Sequence, residues 1–180
     1  MSWLLFLDES GHDHKSMPYE VRGGVALHAS RLWPFVEGMQ KLEFGAFGAV
    51  LHEFRTELKG CKLLDKDRIL WAAQDPPMSD EERRKNCRGF LTKGLEKKVP
   101  SRREFTAYGQ ACLEMATGTF QLLHDYGARL FAAAIPRSVA KPPSHEARDF
   151  LRKDHVFLLE RYFYLLEQEQ QHGLLVLSCL

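Results

Sequence analysis

Apolar residues along this chain fall into short runs separated by polar stretches marked with glycine and proline, and the spacing within each run predicts its element. Trp3-Leu4-Leu5-Phe6-Leu7 is short and unbroken, the pattern of a buried strand, and it leads directly into Asp8-Glu9-Ser10-Gly11. Tyr19 to His28 reads as a second strand in a hairpin with the first, its Gly23-Gly24 pair signalling a bulge or a close backbone approach. Ser30 is placed to cap a helix to about Phe44, with Trp33, Phe35, Val36, Met39 and Leu42 as the apolar stripe, Pro34 in the first turn, and Gly45 and Gly48 as the break.

Val50 to Leu64 fits neither period cleanly, and a strand ending near Glu57 is the expectation there. Asp65 to Ala73 predicts a short helix. Ser79 with Glu82 and Ser101 with Glu104 form two capping boxes, each heading an amphipathic helix. Cys87, Phe90, Leu91 and Leu95 share a face of the first; Phe105, Tyr108, Cys112, Leu113, Ala116, Phe120 and Leu123 share a face of the second. Arg129 to Ile135 reads as a strand, Pro136 to Pro143 as a loop, Ser144 to about Gln171 as a long helix, and Leu174 to Leu177 as a last strand. Strands alternating with helices after an early hairpin predict an α/β fold with a mixed sheet.

Composition narrows the class. With 180 residues, 44% hydrophobic and 27% charged, the chain suits a folded domain with a sizeable core rather than disorder. A formal charge of +1 means that a nucleic-acid partner would need a local basic patch. Cys61, Cys87, Cys112 and Cys179 form no Cys-x-x-Cys pair, which argues against a zinc ribbon and for reduced thiols in the cytoplasm. The first apolar run is too short for a membrane span and lacks the basic flank of a signal peptide.

The candidate chemistry starts at Asp8. A carboxylate at the end of a buried strand is costly unless a cation or hydrogen-bond donors meet it, so the position is either a metal ligand or a solvated acidic turn. Glu9 falls on the opposite face of a regular strand. His12-Asp13-His14 follows the acidic turn and offers ligands for a metal or donors for phosphate. His124-Asp125 and Asp154-His155 resemble the pairs of HD-type phosphohydrolases, whose all-helical fold does not suit the N-terminal strands. Lys93, Lys97, Lys98, Arg102 and Arg103 would track a phosphate backbone if they shared one surface; on helices flanked by acids such cations are more often paired and solvated.

Three motifs in order, Asp8-Glu9-Ser10-Gly11, Gly23-Gly24-Val25 and Glu57-Leu58-Lys59-Gly60, followed by a long helix, Gly173 and Leu174 to Leu177, resemble the DUF3800 proteins. That group is assigned to the ribonuclease H-like superfamily, and many of its members are found in bacteria and their mobile elements. The resemblance implies one domain over 1–180 with a ribonuclease H-like mixed sheet, flanking helices and a helical insertion at about 79–126. It implies a metal-dependent nuclease acting on nucleic acid, with Asp8 and Glu57 as ligands of magnesium or manganese and Lys59 as a third catalytic group. Relatives carry an Asp after the last strand and a further helix with a Gln-x-x-Asp motif. Ser178 stands near the first position, so the fold is expected to be incomplete at its C-terminus.

Two-metal phosphodiester hydrolysis places its ions about 3.5–4 Å apart. Asp8 and Glu57 suffice for one ion, because magnesium is usually held by one or two carboxylates plus waters and phosphate oxygens. The alternative is a non-catalytic remnant or binding module that keeps the fold without the full ligand set. If the further C-terminal helix is absent, one face of the sheet near Leu174 to Leu180 is expected to expose apolar surface and to favour a homodimer or aggregation.

Overall fold

The computed structural model describes residues 2–10, 19–136 and 153–177, and they divide into two compact units. The first, Met1–Leu32 with Tyr126–Leu180, holds the sheet. Its strands are β1 (Ser2–Ser10), β2 (Tyr19–His28), β3 (Arg129–Pro136) and β4 (His172–Leu177), in the order β3-β2-β1-β4. β1 and β2 are antiparallel, as are β2 and β3, whereas β1 and β4 are parallel. β3 therefore runs in the same direction as β4, and helix α6 (Lys153–Glu169) makes the crossover that parallel strands require.

Residues alternate between the two faces of β1, and α6 covers one of them. Trp3 and Leu5 pack there with Ala26, Tyr162 and Leu165, with Leu7, Phe131 and Leu166 at the margin. The Tyr162 hydroxyl donates to the Trp3 carbonyl at 2.8 Å, fastening α6 to the central strand. Gly173 lets that ring approach β4, since a Cβ there would lie 2.3 Å from the Tyr162 oxygen. Buried Arg22 donates to His155 Nε2 at 2.9 Å and to Glu20 at 3.1 Å, so His155 accepts through Nε2 and serves the α6 contact rather than an HD site. At the far edge, Leu174, Leu175, Val176 and Leu177 are all exposed, as expected for that strand.

The register of β1 with β2 is continuous through Gly23 and Gly24, so the pair makes no bulge. Gly24 marks the close approach instead. A Cβ there would stand 2.6 Å from both the Leu7 side chain and the Phe6 carbonyl.

The second unit, Trp33–Asp125, is helical. It contains most of α1 (Ala29–Phe47), a 3-10 turn (Leu51–Phe54), α2 (Gly60–Leu63), α3 (Lys66–Ala72), α4 (Asp80–Leu95) and α5 (Arg102–Asp125). Two details of α1 differ from expectation. Ser30 lies inside the first turn, and the cap's role passes to His28, whose Nδ1 accepts from the Ser30 N–H at 3.3 Å and meets its hydroxyl at 2.7 Å. The helix also passes through Gly45 and ends at Gly48, which takes φ +69°.

The expected strand ending near Glu57 is not formed. Leu51, Phe54 and Leu58 turn towards the helical core at a spacing that suits a 3-10 turn and loop, and the Leu51 N–H is satisfied by Glu43 at 2.8 Å rather than by a neighbouring strand. Both capping serines accept from the expected amides, Ser79 from Glu82 and Ser101 from Glu104, each at 3.4 Å. Cys87, Leu91, Ala107, Ala111, Cys112 and Met115 form the α4–α5 seam, joined by Ala46, Phe47 and Leu51. Phe90 stacks on Tyr108 with ring centroids 4.3 Å apart, while Phe120 and Trp33, expected in the core, are exposed.

Candidate functional site

Asp8 lies near the carboxyl end of β1, one residue beyond the Leu7–Leu177 pair that ends the described parallel ladder with β4. It belongs to the face opposite α6 and is exposed. Hydrophobic alternation puts it there: Trp3 and Leu5 turn to α6, so the even positions, Asp8 among them, turn away. Its cross-strand neighbour is Gly23, whose own neighbour on β3 is Ala132. Ligands in open α/β sheets gather outside the carboxyl ends of parallel strands where the connections diverge. Asp8 stands at the carboxyl end of one such strand, β1, which runs parallel to β4.

Glu57 and Lys59 belong to the second unit. They occupy the extended segment between the 3-10 turn and α2, both exposed, with Lys59 Nζ 3.3 Å from the Glu57 carboxylate. An ion pair this exposed is worth little and yields readily to a cation or a phosphate. Glu57 is therefore a loop carboxylate and not, as expected, one at the end of a strand.

The ligand set fits a metal only in part. An exposed carboxylate with glycine beside it suits one magnesium-like ion completed by water and phosphate oxygens. Among the described residues, no three His, Cys, Asp or Glu side chains come together as a metal-binding group. His12-Asp13-His14 and Ser178 lie outside the described residues. His124 is an exposed surface neighbour of Asp125, 3.4 Å away.

Four of the five cations in the basic cluster form ion pairs. Lys93 meets Glu104 at 2.7 Å, Lys98 meets Glu96 at 2.9 Å, Arg102 meets Asp75 at 3.3 Å, and Arg103 pairs with Glu82. The partners come from the same helices and their connecting segments, a neutralisation that the count of nearby acids already foreshadowed. Sequence reading did not anticipate Arg83, a buried cation held by the Ala46 carbonyl at 3.2 Å, Asp80 at 3.1 Å and Glu114 at 2.6 Å. It resembles any other arginine on a polar helix, and no local signal distinguishes it.

Cys87 and Cys112 are not placed to act as nucleophiles in this fold. Burial pushes Cys87 and Cys112 up to about 12 against the lowering pull of Arg83 and Arg68, so both stay protonated near neutrality. No helix among the described residues is long and apolar enough to cross a membrane. Compared with family models, curated proteins and solved structures, the chain finds no match, and its functional reading rests on these residues and this fold.

Proposed function

We propose that this protein is a metal-dependent nuclease in which Asp8 ligates magnesium or manganese. The observation that carries the reading is the exposed Asp8 carboxylate at the carboxyl end of central β1, opposite a glycine, in a four-stranded mixed sheet. The DUF3800-like order of motifs supports it, and the α/β sheet with its early hairpin agrees with that resemblance in outline. When bound, the ion would supply a water of lowered pKa and charge to offset the developing phosphorane. Asp8 would anchor the ion from the rigid sheet. Glu57 would add a second carboxylate, and Lys59, released from its ion pair, would hold a phosphate oxygen as a point charge. The working compartment would be the cytoplasm, with the substrate a nucleic acid whose type is open.

The second reading, a remnant or binding module without turnover, is favoured by two observations. Glu57 is paired with Lys59, and among the described residues no three His, Cys, Asp or Glu side chains come together as a metal-binding group. Calorimetric titration with manganese of the parent, Asp8→Ala and Glu57→Ala separates the readings, followed by cleavage assays on RNA, DNA and hybrid. Binding lost in both variants together with metal-dependent cleavage supports the nuclease. Binding without cleavage leaves the module, and no binding in the parent refutes the metal site. Sedimentation of the same samples reports whether the exposed β4 edge supports a homodimer.

A further inference from the structure

We infer that the groove between α1 and α4 is a binding surface for single-stranded nucleic acid, with Phe44 as a stacking platform for a base and Lys41 and Arg84 as the cations that meet phosphate. The groove has a volume of about 480 Å³ and is lined by Glu37, Gln40, Lys41, Phe44 and Gly45 of α1 and by Arg84 of α4. Small-ligand sites span about 300–1,000 Å³, so it has room for a nucleotide unit and not for a folded domain. Arg84 is held in place by its Nε bond to the Gly45 carbonyl at 2.7 Å, while its outer nitrogen Nη2 lies a loose 3.9 Å from Asp80. Lys41 is exposed and, among the described residues, has no hydrogen-bond or ion-pair partner. Every residue used belongs to the helical unit, so the inference does not rest on the metal reading of Asp8.

Charge and shape together select the occupant. Two cations face one carboxylate, Glu37, which favours an anionic ligand. Phe44 is 55% exposed and is the one large apolar side chain lining the groove, so an amphipathic helix would find a single anchor where it needs a stripe. A base needs only one ring face, and stacking on an exposed aromatic beside cations holds single strands without sequence preference. A duplex keeps its bases stacked on one another, out of reach of such a ring. The same face of α1 continues the track, because Trp33, 68% exposed, lies about three turns before Phe44, roughly 16 Å along the axis.

The test is fluorescence anisotropy of a labelled oligothymidylate of about 16 nucleotides, the upper end of common single-strand site sizes, beside the matching oligouridylate and a duplex of the same length. EDTA in the buffer removes any contribution from a divalent ion. The whole chain is compared as parent, Phe44→Ala, Phe44→Tyr, Lys41→Gln and Glu37→Gln, with far-UV circular dichroism of each. The parent should prefer both single strands to the duplex. Phe44→Ala should weaken binding about fivefold or more, and Phe44→Tyr, which keeps the ring, should not. Lys41→Gln should lower the slope of log affinity against log salt by about 0.7. Glu37→Gln should tighten binding about twofold, a gain that damage to the fold does not produce. No binding by the parent, equal affinity for the duplex, or unchanged affinity in both Phe44→Ala and Lys41→Gln overturns the assignment. So does a loss in Phe44→Ala that comes only with loss of the helical signal. A parent that binds inorganic phosphate by calorimetry but no strand has an anion site only, and one whose dimer in sedimentation dissolves in Phe44→Ala uses the face for a second copy; either result overturns the strand reading.

Discussion

Replacing Glu104 by alanine removes one buried carboxylate that closes the N-terminus of α5 and ties it to α4. Its Oε2 accepts from the Ser101 N–H at 2.5 Å and from Lys93 Nζ at 2.7 Å, and its other oxygen lies against Gly89. The capping bond is worth about 1 kcal/mol. A charge-assisted bond adds about 1.5 kcal/mol, taken at the low end because Lys93 is about one-third exposed. Glu104→Ala should therefore cost about 2–3 kcal/mol, and Glu104→Gln, which keeps the acceptor but not the charge, about half of that. Burial by itself would raise the Glu104 carboxyl, but the bonds from Lys93 and Ser101 outweigh it and hold the group below its usual range. Its stabilisation is thus complete above the unfolded-state carboxylate pKa and is lost as pH falls through the lower folded value. Urea unfolding followed by circular dichroism, at neutral pH and in steps towards pH 3, measures both. Variants within about 0.5 kcal/mol of the parent at neutral pH, the range of an ordinary surface change, would refute the assignment. So would a parent-to-Gln difference that does not shrink in acid.

Other substitutions probe the remaining joints. Gly48→Ala meets both a left-handed backbone and the Arg84 Cβ at 2.6 Å, and should cost about 2 kcal/mol or more in urea melts. Tyr162→Phe deletes the bond to the Trp3 carbonyl and should lower stability by about 1–2 kcal/mol, with hydrogen exchange rising in the sheet while the α4–α5 seam is unaffected. Arg83→Ala removes a buried side chain and its bond to the Ala46 carbonyl while leaving the more exposed Glu114 unpaired, for a loss of about 1–2 kcal/mol in thermal or urea unfolding. In a Cys179→Ser background, a thiol reagent at neutral pH should label exposed Cys61 rapidly and Cys87 and Cys112 only on unfolding. Rapid labelling of three thiols would contradict the burial of that pair.

What the sequence determined by itself was local. The bounds of β2, the capping serines at 79 and 101, and the buried strand at Trp3 to Leu7 were legible because propensity, turn chemistry and hydrophobic period agree within a few residues. The segment around Glu57 was misread because its apolar residues are too few to choose between periods. A core contact for Leu51 and the Glu43 carboxylate, eight residues away, settled it as a turn. His28 displaced Ser30 as the cap of α1 because a side chain from the preceding strand reached the first-turn amide. Only the tertiary structure paired Asp8 with Gly23, set Gly24 against Leu7 and the Phe6 carbonyl, and placed Asp8 in the sheet unit and Glu57 in the helical one. It also paired four of the five cations of the basic cluster with acids. Strand register and ion pairing depend on residues distant along the chain, and a hydrophobic pattern records which way a side chain turns but not what it meets there.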